Sequence, residues 1–362
     1  MVAYWRDGQF VLENFLTRRR ITADPLAAAI LHFFDRYRSE RQLCAKFPEY
    51  SPASLRKAVR SLVRQSFLET YTRGAADLDV QSEALEEWGE WNPTASFFHF
   101  STKDMRFERD AAKEFREVVK LAERKPMPRP VKRYLKAPKI QLPVPTASGE
   151  FARVLLMRRT WRKFSSESVS LEALSKLLAL TWGVQKFVDI PKLGSIAVKT
   201  SPSGGALHPI EAYVLVRNVE KLRSGLYHYN GANHCLDFLR RGSSSKQIAS
   251  WLANQWWYAG AAFVVFMSAV FERTRWKYDY PRAYRAMLLE AGHLCQTFCL
   301  TATWLDLAPF CTLAFADSAI EKAIGLDGIS ESVLYVAGAG LRPKNDRQAH
   351  LLSGSDVSSL QL

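Results

Sequence analysis

One stretch of the chain, residues 271–304, constrains the possible folds more than any other. After Pro281, which suits a first helical turn because proline has no amide hydrogen to lose, helix-forming residues continue without a break to Trp304. Apolar side chains occupy nearly every face of this predicted helix, interrupted only by two arginines, one glutamate and one histidine. A helix that is apolar all round is buried. The pattern therefore predicts a central helix with a core built around it.

This helix is not expected to cross a membrane. Glu290 and His293 interrupt the apolar run well short of the roughly 18 to 20 uncharged residues that a bilayer crossing requires. Near the N-terminus, Arg6, Asp7 and Glu13 fall where a signal peptide would need an apolar segment, so we expect no secretion signal.

Cysteine usage bears on the cellular compartment and on metal binding. The five cysteines are an odd number and include no C-x-x-C pair, a pattern that favours a reducing cytoplasm and argues against a zinc site. Cys295 and Cys299 lie one helical turn apart within the apolar helix. Free cysteine usually behaves as a small apolar residue, so both are expected to be core residues, and the sequence predicts no metal ligands.

Length and charge set the remaining limits. A chain of 362 residues with 48% hydrophobic residues is long enough for two domains or three, each with its own core. The 50 basic and 36 acidic residues give a formal charge of +14. This excess favours an anionic partner, either a phosphate-bearing cofactor, an acidic peptide or nucleic acid. Charge alone does not choose among the three.

The first 75 residues are predicted to form a winged-helix-like domain. Ser51 can cap a helix that starts at Pro52, and apolar residues then repeat at helical spacing. The full pattern comprises short strands within 2–16, helices at 25–37, at 40–47 and from Pro52, and a strand at 67–71.

Three roles are open for this domain. In a DNA-binding role, basic residues of the third helix would lie along phosphates; otherwise they are simply its solvated face. The same fold also binds peptides at a sheet edge. We expect a peptide-binding or structural role rather than DNA binding, but the fold alone does not decide. The basic residues concerned are Arg56, Lys57, Arg60 and Arg64.

The rest of the chain divides into three predicted parts. Residues 76–148 hold an aromatic, helical segment and a basic connector with six prolines, a composition typical of a semi-rigid linker. Residues 149–347 alternate between helical and strand patterns, and 348–362 form a polar tail. Within 149–347 we expect an α+β fold with an antiparallel-rich sheet around the long helix. Its predicted elements are helices at 150–158 and 171–182, a loop at 183–200, a strand meander over 210–239, and strands at 261–271, 308–315 and 333–336.

Two motifs in this domain suit phosphate and ring binding. Four of the six residues 158–163 are cations, and an arginine fork donates two parallel hydrogen bonds to a phosphate, to which Thr160 adds a hydroxyl. Such a cluster is often only a basic surface. The loop 201–205 ends in paired glycines, which let backbone amides approach a flat ring or an anion, although a plain turn into a strand is the alternative. His208 is expected to be structural.

Four motifs of this chain, taken together and in their order along the sequence, resemble the SagB-type branch of the FMN-dependent nitroreductase superfamily over about residues 150–341. They lie at 158–162, 201–209, 277–278 and 284–293. The segment 88–103 resembles the approach to the flavin domain in that branch. The resemblance implies a homodimer with FMN at the subunit interface. It also implies oxidation of peptide thiazolines and oxazolines to azoles, and a possible complex with a cyclodehydratase.

The resemblance also assigns residues by position. Arg158, Thr160 and Arg162 match residues that hold the FMN phosphate and the ring edge. Lys277 and Tyr278 match the Lys-Tyr pair required for azoline oxidation. The residues that match the loop beneath the isoalloxazine are Ser201, Pro202, Ser203, Gly204 and Gly205.

The chain departs from the family pattern at two places. Thr160 replaces the usual serine and keeps a hydroxyl. Leu313 and Ala314 stand where many nitroreductases have a glycine whose backbone faces the flavin, so an alanine methyl would narrow that face. Two further functions are kept open: an NAD(P)H-dependent nitroreductase or flavin reductase, and a winged-helix DNA-binding regulator with a flavin-fold sensor.

The expected chemistry needs a base and a hydride acceptor. Forming an azole removes a proton from the carbon beside the carbonyl and a hydride from the neighbouring ring carbon, and FMN would accept the hydride. Either Lys277 or Tyr278 can be the base, because a cation beside a phenol favours the phenolate and burial favours a neutral amine. The sequence leaves both open.

Overall fold

The computed structural model describes residues 1–70, 80–107, 110–125, 127–128, 130–132, 138–143 and 148–344. The predicted tail 348–362 and part of the predicted connector lie outside these residues. The chain separates into two compact units, one formed by Met1–Lys103 with Asp279–Arg282, the other by Asp104–Tyr278 and the described chain from Ala283 onward. The four-part division stays a prediction. Among the described residues, no helix combines the length and the hydropathy that a membrane crossing needs.

The first unit combines a small sheet with helices. Each of the first three helices is capped by a side-chain oxygen, from Asp24, Ser39 and Ser51. Their apolar faces meet the second strand in a core that includes Leu12, Ile30 and Leu55. The elements are an antiparallel sheet of β1 (Val2–Arg6), β2 (Gln9–Asn14) and β3 (Arg19–Thr22), then α1 (Pro25–Phe33), α2 (Glu40–Lys46), α3 (Pro52–Arg64), α4 (Val80–Trp88) and α5 (Thr94–Thr102).

The strand predicted at 67–71 is wrong for residues 67–70, and Tyr71 lies outside the described residues. Ser66 takes a positive φ of 59°, and the amides of Phe67 and Leu68 both donate to the carbonyl of Leu62. These bonds close the end of α3 with a tight turn, so the chain does not extend there. The winged-helix assignment stays a prediction.

The second unit is built on a six-stranded antiparallel sheet, with strands in the order β10, β11, β9, β6, β7, β8. The α+β prediction is confirmed, and most element bounds fall within two residues of the predicted ones. The elements are α6 (Ala111–Arg124), α7 (Glu150–Met157), α8 (Leu171–Trp182), β4 (Lys186–Ile190), β5 (Gly194–Val198), β6 (Ile210–Val216), β7 (Gly225–Asn230), β8 (Cys235–Arg241), α9 (Ser245–Trp251), β9 (Phe263–Val270), α10 (Phe271–Arg275), α11 (Arg282–Trp304), β10 (Leu307–Thr312), α12 (Asp317–Ile324) and β11 (Glu331–Leu341).

The loop predicted at 183–200 is wrong, because β4 and β5 form an antiparallel hairpin there, in register from Lys186 opposite Val198 to Ile190 opposite Gly194. Positive φ angles at Lys192 and Gly194 make the turn. The hairpin contributes little to the core, and Phe187 is 56% exposed. It therefore carries no burial alternation from which a strand could be predicted.

The long helix α11 is the predicted central helix, with one difference. Eleven of its residues are buried, among them Met287, Leu294 and Phe298. Leu289 is 59% exposed, so the helix is not buried on every side within one chain. The buried side packs beside β9, in which seven of eight residues are buried, as expected for a strand covered on both faces.

The sheet leaves no space for a side chain at Gly338. A β-carbon there would lie 2.5 and 2.6 Å from two ring carbons of Phe310 and 2.8 Å from the carbonyl oxygen of Phe263. Phe310 stacks on Tyr258 with ring centroids 4.0 Å apart, so the ring has little freedom to move. We expect Gly338→Ala to lower the free energy of unfolding by about 1–3 kcal/mol, the usual cost of overpacking, measured by urea denaturation.

Gly260→Ala is the matched control, because the nearest atom to its new β-carbon, on Phe164, lies at an ordinary contact distance of 3.6 Å. The control should stay within about 0.5 kcal/mol of the parent. Equal stability of the two variants would contradict the packing described for Gly338.

Candidate functional site

The predicted ring-binding loop, residues 201–205, is fixed to one face of α11. The Ser201 hydroxyl lies 2.7 Å from that of Thr297, and the carbonyl of Pro202 lies 3.4 Å from Nδ1 of His293. Glu290 accepts hydrogen bonds from the Ser203 side chain and the Gly204 backbone. Positions 290, 293 and 297 repeat at three and four residues and so share one helix face. The helix therefore sets the position of the whole loop.

The loop passes directly beneath the predicted Lys-Tyr pair. Gly205 has a positive φ of 69°, and a β-carbon there would lie 2.9 Å from the Tyr278 hydroxyl and 3.2 Å from Lys277 Nζ. Only glycine permits both this backbone and this approach. Lys277 Nζ also lies 5.4 Å from the centre of the Tyr278 ring. The loop, the Lys277 amine and the Tyr278 phenol were predicted from separate stretches of the sequence, and they lie together in one cluster.

The basic segment 158–163 lies against β10. The amide of Trp161 donates to the carbonyl of Pro309, and Trp161 is buried beneath the guanidinium of Arg342. The guanidinium of Arg159 donates hydrogen bonds to the backbone carbonyls of Leu156 and Arg158. Of the predicted phosphate ligands, Arg158 and Thr160 are half-buried and Arg162 is exposed.

Leu313 and Ala314 follow the end of the same strand. Gln255 Nε2 donates to the Ala314 carbonyl at 2.9 Å and to the Thr312 hydroxyl at 3.0 Å, which fixes the backbone there. The Leu313 side chain is 66% exposed. The predicted residues thus fall into two groups within the second unit. Residues 158, 160, 162, 313 and 314 flank β10, whereas 201–205, 277 and 278 gather near the first half of α11.

A cavity of about 710 Å³ opens beside the second group. Lys277 and Gly205 are among the residues that line it, together with residues of the β4–β5 hairpin. Phe187, Leu193 and Trp276, which are 56%, 65% and 69% exposed, supply apolar surface along the hairpin and the opposite wall. The cavity therefore joins the Lys-Tyr pair to an apolar, solvent-accessible groove.

Charged groups line the floor of this cavity. Glu211 accepts a hydrogen bond of 2.8 Å from His228 Nε2 and another from Arg273. On its other side, His228 Nδ1 lies 3.5 Å from the exposed carboxylate of Asp237. The hydrogen bond to Glu211 raises the pKa of His228, so the imidazolium is favoured. A chain of titratable groups thus leads from the cavity to solvent.

Burial disfavours the charged form of two basic groups that line this cavity, Lys199 and His208. Burial lowers the pKa of the Lys199 ammonium, an effect that Glu211 and Glu290 partly oppose. Burial also lowers the pKa of His208, whose Nε2 donates to the carbonyl of Ala197 at 3.0 Å. Its Nδ1 lies 3.9 Å from Glu290, too far for a hydrogen bond, and we therefore treat His208 as neutral. His208 has the structural partners expected of it.

Sequence reasoning missed the cavity residues for an identifiable reason. Glu211, His228 and Asp237 stand on three neighbouring strands, with His228 directly opposite Asp237 in the register. Polar residues at alternating positions of adjacent predicted strands were the available signal. Lys199 and Glu211 stand two residues before and two residues after the recognised motif 201–209, whereas His228 and Asp237 are remote from it.

Residues 155–341 match the Nitroreductase family. The chain belongs to the nitroreductase family. The match spans the whole six-stranded sheet, α11, and both groups of predicted site residues. Putative nitroreductase MJ1384 of Methanocaldococcus jannaschii is 32% identical over 171 residues, which cover 47% of this chain and 82% of MJ1384.

Two other relatives of this chain carry names that refer to peptide processing. Trifolitoxin-processing protein TfxB of Rhizobium leguminosarum bv. trifolii is 32% identical over 170 residues, which cover 46% of each protein. Microcin B17-processing protein McbC of Escherichia coli is 30% identical over 173 residues, 46% of this chain and 61% of McbC. The matched region thus spans about half to three fifths of these two relatives.

Glu290 gives a testable electrostatic property of the loop support. Burial raises the pKa of its carboxyl, against the hydrogen bonds from Ser203 and Gly204. The folded chain then holds this proton more tightly than the unfolded chain, so the free energy of unfolding falls as the pH rises above about 4.3, where an exposed glutamate titrates. The Glu290→Gln variant has no carboxyl to ionise at this position, so its free energy of unfolding does not fall for this reason. We expect the stability of the variant, relative to the parent, to rise between pH 4 and pH 8.

The measurement is urea denaturation at several pH values in that range. Glu220→Gln serves as the control, because Glu220 is exposed and its substitution should leave the pH profile of the parent unchanged. Parallel profiles for the parent and Glu290→Gln would contradict the raised pKa.

Proposed function

We propose that this nitroreductase-family chain is an FMN-dependent dehydrogenase of the SagB type, which oxidises thiazolines and oxazolines in a peptide to thiazoles and oxazoles. The observation that carries the proposal is the cluster of Lys277 and Tyr278 over Gly205, beside a cavity that is open to solvent. A ring embedded in a peptide needs such an opening, because the chain on both sides of the ring must stay outside. The peptide-processing names of two relatives support the same substrate class.

The residues present fit FMN. The absence of a side chain at Gly205 lets the backbone of the loop contact Lys277 and Tyr278, so a ring held on the loop 201–205 would lie beside both groups. Arg158, Thr160 and Arg162 would hold the phosphate and the ring edge, since guanidinium and hydroxyl donors suit a phosphate monoester. When bound, FMN supplies a hydride acceptor. The two groups of residues along β10 and α11 accord with a homodimer in which each copy completes the other's cofactor site.

The chain's own residues must hold the ring and remove one proton. The carbon beside the azoline carbonyl loses a proton and the neighbouring ring carbon loses a hydride, so the substrate becomes two hydrogens lighter per ring. Lys277 or Tyr278 takes the proton, because both lie against the loop on which the reacting ring would rest. Glu211, His228 and Asp237 then offer a route by which the proton reaches solvent.

Substrate binding is assigned to the walls of the cavity. The apolar side chains of Phe187, Leu193 and Trp276 would cover the peptide on either side of the ring. Binding energy gained there, away from the reacting atoms, positions the ring for reaction. The resemblance also supports a complex with the cyclodehydratase that makes the azoline, with the N-terminal domain as the contact for peptide or partner.

A second candidate function is an NAD(P)H-dependent nitroreductase or flavin reductase. The similarity to putative nitroreductase MJ1384, most of whose length is matched, favours it. The two functions differ in what reduces the flavin. Rapid bleaching of the flavin absorbance by NAD(P)H, with no bleaching by an azoline peptide, would support the second function over the first.

The cofactor assignment predicts the effect of a double substitution. Replacing Arg158 and Arg162 by alanine removes two charge-assisted hydrogen-bonding groups, each worth about 1.5–3 kcal/mol. FMN affinity should fall by about two to four decades while the chain remains folded. The measurement is flavin content after purification, with circular dichroism as the check of folding.

Arg159→Ala is the matched control, because the Arg159 guanidinium is bound to backbone carbonyls of its own turn. This variant should keep its flavin. Undiminished flavin in the double variant would refute the assignment.

The proposed chemistry predicts that Lys277→Ala and Tyr278→Phe keep FMN and lose turnover. General-base catalysis is worth about 10²- to 10⁴-fold in rate, so azole formation should drop by at least the lower figure in the variant that lacks the base. The assay uses a thiazoline peptide and follows a mass loss of about 2 Da per ring, the two hydrogens removed. Flavin content is measured in the same samples.

Two further lysine variants complete this experiment. Lys176→Ala, on the exposed face of α8 beside Glu172, should turn over at the parent rate. Lys199→Met tests the other amine of the cavity, whose pKa is lowered by burial. If only Lys199→Met loses azole formation, the base is Lys199. If Lys277→Ala and Tyr278→Phe both form azoles at the parent rate, the role of the pair is refuted.

A further inference from the structure

Three of the five cysteines converge at one point beside β10. Cys295 and Cys299 stand one turn apart on α11, and Cys311 lies on the strand that packs against that turn. The three sulfur atoms all lie within 4.8 Å of one another. A point therefore exists within about 2.8 Å of every sulfur, close to the metal–sulfur distance of about 2.3 Å found in thiolate sites. A small contraction would bring all three into coordination.

The surroundings of the cluster favour a bound cation. Cys295 and Cys299 are only 3% and 4% exposed. The Tyr335 hydroxyl donates to the Cys311 sulfur at 3.5 Å, which supports a negative charge on that sulfur. Thiolate is the form that binds metals.

Ordinary core packing accounts for the burial of Cys295 and Cys299 but does not require a third sulfur beside them. Small apolar residues such as alanine or valine would fill the same space without placing three weakly polar groups in contact. A disulfide would join only two of the sulfurs and leave the third unused. Convergence of all three, from two separate elements, is the geometry of a coordination site.

The donor set indicates which metal ion would bind. Among the described residues, the group that can reach a common ion consists of these three cysteines alone, with no histidine or carboxylate. Structural zinc almost always takes four protein ligands, whereas an all-sulfur set of soft donors selects ions such as copper(I).

We propose that Cys295, Cys299 and Cys311 form a three-sulfur binding site for a thiophilic monovalent ion, copper(I). The ion replaces the thiol protons, which pass to solvent, and no electron transfer is involved. The site lies where α11 meets β10, so a bound ion would cross-link the central helix to the sheet. Binding would stabilise the folded chain according to its affinity.

The test is an anaerobic titration of the reduced, full-length chain with copper(I), in competition with a chromogenic copper(I) chelator. We expect one tightly bound ion per chain, an ultraviolet sulfur-to-copper absorption, and a higher melting temperature. Cys311→Ala and Cys299→Ala should each weaken binding by more than about 100-fold, since loss of an outer-shell partner alone costs about 10- to 100-fold. Because Cys311 is only half-buried, its variant is expected to fold even if Cys299→Ala does not.

Cys235→Ser is the matched control, because Cys235 is exposed and distant in sequence from the cluster. It should bind copper(I) as the parent does. No stoichiometric binding to the parent chain would overturn the proposal, and so would parent affinity in Cys311→Ala. Neither result involves flavin or peptide, so the proposed enzymatic function is tested separately.

Discussion

The attachment of the loop 201–205 to α11 is the interaction on which the candidate site depends. Glu290, His293 and Thr297 hold the loop at three successive positions of one helix face. Because the helix is rigid and largely buried, the loop is fixed as firmly as the core itself. Gly205 then brings the backbone against Lys277 and Tyr278. A buried carboxyl in an otherwise apolar helix, which is unfavourable for stability, is thus explained by its role in holding a polar loop.

Much of this fold could be predicted because its signals are local. The long apolar helix, the capped helices and the strands of the meander each follow from hydrophobic period and turn residues within one segment. The Lys-Tyr pair and the loop were predicted as separate motifs through their resemblance to a known branch. Their contact over Gly205 depends on a positive φ and on packing between distant segments, and neither is visible in a hydrophobic pattern.

What the sequence did not reveal has a common physical cause. The β4–β5 hairpin is largely exposed, so no buried face imposes alternation on residues 186–198. The charged floor of the cavity is made by residues that meet only through strand register, as His228 and Asp237 do. Cys295 and Cys299 were expected to be core residues and are buried, but their contact with Cys311 could not be predicted because Cys311 lies on a different element. In the last two cases the information lies in tertiary pairing.

The exposed hairpin has a consequence for how this protein can diversify. A two-stranded hairpin with little core packing is only marginally stable by itself, and its sequence is constrained mainly by its turn at Lys192 and Gly194. Residues such as Phe187 and Leu193 can therefore be exchanged, or the hairpin lengthened, with little effect on the sheet. The reacting groups stand on a different support, the loop clamped to α11. For the proposed peptide substrate, exchanges in the hairpin would alter which neighbouring residues are preferred, while the loop and the Lys-Tyr pair keep their positions.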